Sequence, residues 1–152
     1  MLIDTHCHLY QIEDVKGAMR RASERDVRRM VVVSEDTESM RKALELKARY
    51  PGVLAGLGLH PALVNRMPAE EVAAGMDFIR EHLFEADVLG EAGLDFKVLE
   101  KPGDEAFQRE ILDRQFEAAR DARRPVNLHS RRALRETLDE AIRFHRETGL
   151  NA

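Results

Sequence analysis

Tryptophan is absent from the sequence, and cysteine occurs once, at Cys7, so no disulfide can form within the chain. Cys7 stands between two histidines, which makes a reducing compartment the expected setting. No run approaches the ~18 apolar residues that a membrane span requires. The amino terminus, MLIDTHCHL, lacks the charged-then-apolar layout of a secretion signal, and the expectation is a cytoplasmic protein without membrane contact. Positive charge is also in short supply: 24 Lys and Arg against 28 Asp and Glu leave a formal net charge of -4. That balance excludes a global field able to hold a polyanion loosely, so any nucleic-acid contact has to be local. Low-complexity stretches and Pro/Gly/Ser-rich linkers are missing too, which predicts one domain over residues 1–152.

What the chain has instead is short apolar runs alternating with longer amphipathic stretches, the pattern of repeated strand–helix units around a parallel sheet. Strands are predicted at Leu2 to Cys7, Arg29 to Ser34, Val53 to Leu59, Val88 to Ala92 and Val126 to His129. Helices are predicted at Val15 to Glu24, Glu38 to Tyr50, Ala69 to Leu83, Asp104 to Ala122 and Arg132 to Glu147, each with apolar residues at three- and four-residue spacing. Pro51-Gly52, Pro68, Pro102-Gly103, Pro125 and Gly149 fall at the breaks between them.

Parallel α/β folds gather their active sites at the carboxyl ends of the strands, and polar residues cluster at those ends here. The first predicted strand finishes in Asp4-Thr5-His6-Cys7-His8, the third runs into His60-Pro61, the fourth carries Gly90-Glu91 and the fifth His129-Ser130-Arg131. His6 and His8, two residues apart on a strand, share a face, with Thr5 and Cys7 on the other. That spacing suits two nitrogen ligands to one metal, although an isolated His-x-His is a weak signal. Glu91 ends an apolar strand, where a carboxylate is costly to bury unless it is paired or coordinated, and His129 repeats the case after Val126-Asn127-Leu128. His82 and His145 lie among charged neighbours on predicted helices and read as surface residues.

Four phrases, Ile3-Asp4-Thr5-His6-Cys7-His8-Leu9, Gly58-Leu59-His60-Pro61, Gly90-Glu91-Ala92-Gly93-Leu94-Asp95 and Pro125-Val126-Asn127-Leu128-His129-Ser130-Arg131, together resemble the TatD family of metal-dependent deoxyribonucleases within the amidohydrolase-like barrels. They stand in family order and cover almost the whole chain. The resemblance implies an α/β fold of the TIM-barrel type and a hydrolase with two divalent metal ions, Zn, Mn or Mg. In it His6 and His8 bind one ion, Glu91 bridges both as the central catalytic carboxylate, and His129 binds the second. Mixed imidazole and carboxylate ligation suits Zn or Mn better than Mg. His60 and Arg131 are candidates for holding substrate phosphate, His60 with capping or packing of its loop as an equal reading, and Asp95 for orienting a ligand from behind or for capping the turn that follows it. The implied reaction is phosphodiester hydrolysis of DNA by metal-activated water.

About five of the family's eight strand–helix units are present by this count, with the chain read as truncated before a sixth strand. The units that in the family carry a further histidine and an aspartate near the end of strand eight are therefore expected to be missing. An open sheet would expose strand edges and apolar faces, so a complementing carboxyl-terminal segment or self-association is expected. Two other readings stay open: a catalytically inactive metal-binding or assembly module, and a related amidohydrolase acting on a small molecule.

Overall fold

The computed structural model describes residues 1–152, built from five strands and six helices. In chain order these are β1 (Leu2–Cys7), α1 (Val15–Glu24), β2 (Val27–Val32), α2 (Thr37–Arg49), β3 (Val53–Leu57), α3 (Pro61–Val64), α4 (Ala69–His82), β4 (Val88–Asp95), α5 (Asp104–Ala122), β5 (Val126–Arg131) and α6 (Leu134–Thr148). Single 3₁₀ turns, Leu9–Gln11 and Phe96–Val98, follow β1 and β4. The strands lie in the order β1-β2-β3-β4-β5, each parallel to the next. Sequential parallel neighbours demand a helical crossover at every step, which brings all the strands' carboxyl ends to one rim. The sheet curls enough for Asn127 of β5 to reach the carbonyl of Thr5 in β1.

Helix boundaries follow from local chemistry. Asp14 caps α1 by accepting from the Gly17 amide, and Asp36 and Ser39 form a reciprocal capping box at α2. Gly149 closes α6 in the left-handed conformation that glycine adopts without cost. The core lies between the central strands and the helices over them. Val32, Ala55, Leu57, Leu89 and Ala92 are fully buried, as are Met40 of α2 and Met76 and Ile79 of α4, with Ile111 and Leu112 of α5 almost completely so.

Burial fails at the two ends of the sheet. Leu2 and Ile3 on β1 are 59% and 46% exposed, and Leu134, Leu138 and Ile142, a stripe at four-residue spacing on α6, are also exposed. A stripe at that spacing would ordinarily face a partner, and none is present within these residues.

β1, α1 and α5 coincide with their expected limits, and the other helices shift by one or two residues. β4 runs three residues beyond the expected Ala92, which puts Asp95 on the strand. α3 was not expected, because four residues are too few to show a helical period; Pro61 at its first turn and the His60 side chain at its cap define it.

Two register shifts shape the rim. Between β1 and β2, Asp4 to Cys7 pairs against Met30 to Val32, so three steps on β1 answer two on β2 around Thr5 and His6. Between β4 and β5, Leu89 to Ala92 pairs against Val126 to Leu128, with the extra residue at Gly90-Glu91. Bulges re-aim side chains, and these two fall where His6 and Glu91 leave their strands.

Candidate metal centre

Glu91 is the hub of the rim. Its side chain is only 5% exposed, and its two oxygens face different histidines. Oε2 lies 3.3 Å from His6 Nε2 and 3.5 Å from His8 Nε2. Oε1 lies 2.8 Å from His129 Nδ1 and 3.5 Å from His60 Nε2. Burial by itself pushes the carboxyl's pKa up. Hydrogen bonds from His129 and His60 outweigh it and hold the group well below the usual carboxylate range.

The far nitrogen of each ring decides what its near nitrogen offers. The Asn127 amide donates from Nδ2 to the Thr5 carbonyl at 2.7 Å, which leaves Oδ1 to accept from His6 Nδ1 at 2.8 Å. The Tyr10 hydroxyl donates to Glu35 Oε2 at 3.0 Å, so its oxygen accepts from His8 Nδ1 at 2.8 Å. Both rings therefore carry their proton on Nδ1 and turn an Nε2 lone pair toward Glu91 Oε2.

Three acceptors with no hydrogen between them repel one another unless a cation lies among them. His6, His8 and Glu91, with ligand atoms all within 4.8 Å of one another, thus fit a divalent ion by their donor chemistry as well as by their spacing. The groups behind them are the orienting partners that metal-binding histidines require.

The other half of the centre is built differently. His60 Nδ1 accepts the Ala62 amide at the start of α3, which puts the ring's proton on Nε2 and makes it a donor toward Glu91. His129 donates from Nδ1 to Oε1. Its Nε2 is buried without a hydrogen-bond partner, 3.3 Å from Asp95 Oδ2. Asp95 Oδ2 is the acceptor beside that nitrogen, so the ring can carry its proton there and turn Nδ1 to an ion beside Glu91 Oε1. His60, Glu91 and His129 also lie close enough together for one ion, but the capping bond makes His60 the weakest ligand of the three.

Asp95 is fully buried beside this half. Its Oδ2 takes two contacts from Arg131, Nε at 2.8 Å and Nη2 at 2.5 Å, and its Oδ1 accepts the Lys97 amide. Burial raises its pKa, but Arg131 and the Lys97 amide outweigh that and bring it below its ordinary value. Arg131 is accordingly tethered, with Nη1 uncommitted and the side chain 42% exposed at the rim.

The structure brings together every residue that the sequence had nominated: His6, His8, His60, Glu91, Asp95, His129 and Arg131. His82 and His145 bond locally to Glu85 and to the Leu150 carbonyl. Cys7 points away, its Sγ 3.5 Å from the Val31 carbonyl. Asn127, Tyr10 and Glu35 went unnoticed in the sequence. Asn127 sits two residues before His129, on the same strand face, and alternation alone could have flagged it. Glu35 offers no such signal, since its approach to Tyr10 depends on how the loop after β2 packs beside the turn after β1.

A curled parallel sheet with buried acid and imidazole groups at its carboxyl rim defines an α/β barrel-type domain with a candidate metal centre. Its sequence matches the TatD related DNase family over residues 3–150, and the chain belongs to that family. It is 32% identical to the human Deoxyribonuclease TATDN3, over 91% of this chain and 55% of that protein. It is 31% identical to YabD of Bacillus subtilis, named a metal-dependent hydrolase, over 100% of this chain and 58% of that one. The crystal structure of the TatD homolog YjjV from Escherichia coli superposes with a TM-score of 0.74 at 28% identity, covering 94% of this chain and 56% of the other. The chain thus spans a little over half the length of these relatives.

Proposed function

We propose that this chain carries most of the metal-binding face of a divalent-metal-dependent phosphodiesterase that hydrolyses DNA. The observation that supports this best is the division of Glu91, with one oxygen toward His6 and His8 and the other toward His129 and His60. A bridging carboxylate between two ions needs that division. The relative named a deoxyribonuclease supports the substrate class.

In this reading His6, His8 and Glu91 hold one ion, and Glu91 with His129 holds the second. Divalent ions bound there supply Lewis acidity that activates water and offsets charge gathering on the phosphate. His60 keeps its Nε2 proton because its other nitrogen caps α3, and it can give that proton's hydrogen bond to a phosphate oxygen. Asp95 fixes Arg131 through Nε and Nη2, which leaves Nη1 to meet a second phosphate oxygen. Asp95 also stands behind His129 and limits how that ring turns. Zn or Mn fits the nitrogen-rich first group better than Mg.

The test joins metal content by mass spectrometry with cleavage of single-stranded DNA in added Mn or Zn, for the wild type and Glu91→Ala. Metal uptake and cleavage that both vanish in Glu91→Ala are the expected result. Metal bound without cleavage would overturn the hydrolysis and favour an inactive metal-binding module. No metal in the wild type would overturn the centre.

A further inference from the structure

We propose that Asn127 is a positioning residue that sets the tautomer of His6 and so determines whether that ring can act as a ligand. The proposal rests on the metal-site reading above. β1 and β5 are the two edges of the sheet and share no ladder, yet Asn127 joins them twice. Its Nδ2 donates to the Thr5 carbonyl at 2.7 Å, and that bond fixes which end of the amide is which. Oδ1 is then the atom presented to His6 Nδ1 at 2.8 Å, and it can only accept. His6 must place its proton on Nδ1, which frees Nε2 at 3.3 Å from Glu91 Oε2.

The reach across the sheet has a backbone cause. Gly90, with φ of +140°, leaves room for β5: a Cβ there would stand 2.5 Å from the Asn127 carbonyl oxygen and 3.0 Å from its Cβ. The bulge that turns Glu91 inward therefore also lets Asn127 lie close to β4, at a depth from which its amide spans to β1. One local irregularity serves both the carboxylate and the group that orients a histidine opposite it.

Without an acceptor at Nδ1, an imidazole in water favours the tautomer with its proton on Nε2, and such a ring cannot ligate through that nitrogen. Asn127→Ala should shift His6 toward that form. Asn127→Asp should not, because a carboxylate oxygen still accepts from Nδ1, although it cannot donate to Thr5. A residue that merely ties β1 to β5 would make the two variants behave alike, since both lose the bond to Thr5.

The experiment is ¹⁵N–¹H correlation NMR of the His6 ring without metal at roughly pH 8, above the ordinary imidazole pKa of about 6.5, followed by titration with Zn. The wild type and Asn127→Asp are expected to show the Nδ1–H pattern and Asn127→Ala the Nε2–H pattern. Zn affinity should fall about 10- to 100-fold in Asn127→Ala and recover in Asn127→Asp. An unchanged His6 pattern in Asn127→Ala, or an Nε2–H pattern in Asn127→Asp, overturns the proposal, and the second variant decides it should the alanine variant not fold. A wild type that shows the Nδ1–H pattern but takes up no Zn overturns the metal reading instead, and leaves Asn127's hold on His6 supported.

Discussion

Replacing Gly93 by alanine measures how closely β4 must lie against β5 for His129 to reach Glu91. Gly93 has φ of +152°, a conformation that costs an L-residue about 1–3 kcal/mol. An added Cβ would also stand 2.0 Å from the His129 carbonyl oxygen, 2.9 Å from its carbon and 3.0 Å from its nitrogen. All three are backbone atoms, so no side chain can swing away and the strands must part. Parting them at the Gly93–His129 pair weakens one or two ladder hydrogen bonds, each contributing about 0.5–1.5 kcal/mol. The expected loss is about 2–5 kcal/mol, a large share of a domain's usual stability of about 5–15 kcal/mol. Gly103→Ala is the control: φ there is +98° and nothing lies within 4 Å, so only backbone strain of about 1–2 kcal/mol is expected. Urea unfolding followed by far-UV circular dichroism gives both values. If Gly93→Ala is no more destabilising than Gly103→Ala, the close approach of β4 to β5 does not govern this rim.

Gln115, almost wholly buried on α5, accepts the Leu59 amide at 2.8 Å and donates to the Leu59 carbonyl at 3.3 Å. Gln115→Leu strands both groups and should cost about 2–5 kcal/mol in the same titration, whereas a loss below about 0.5 kcal/mol would mean that water reaches Leu59. The Cys7 thiol is pushed up to about 11 by burial and, less strongly, by the charge of Asp4. Because the folded state keeps this proton longer than the unfolded one, stability should fall as pH rises from about 9 toward 11. Below that window the folded chain should hold roughly 100-fold less thiolate, so iodoacetamide at pH 8 should label it far more slowly than urea-unfolded chain. Equal labelling rates would refute the burial argument.

Much of the fold was legible because its signals are local. Alternating apolar runs and amphipathic stretches located all five strands and five of the six helices, and Asp14, Pro102-Gly103 and Gly149 mark ends that depend only on neighbouring residues. The candidate site was legible for a related reason: His6, Glu91 and His129 are polar residues at the carboxyl ends of apolar strands, where burial is costly without a partner. β4's extension to Asp95 was hidden, because Gly93 interrupts the apolar run and only the β5 ladder draws Gly93, Leu94 and Asp95 into the strand.

The sequence by itself therefore determined the order of the units, the parallel sheet and the rim on which the imidazoles and carboxylates gather. Only the tertiary structure decided which oxygen of Glu91 meets which histidine, and which nitrogen of each ring is free. Those outcomes depend on two bulges, on the close fit of β4 against β5, and on an amide 121 residues from the ring it orients. Periodicity is a property of a few consecutive residues, whereas a hydrogen bond across the sheet exists only once its curl has brought the two edge strands within reach.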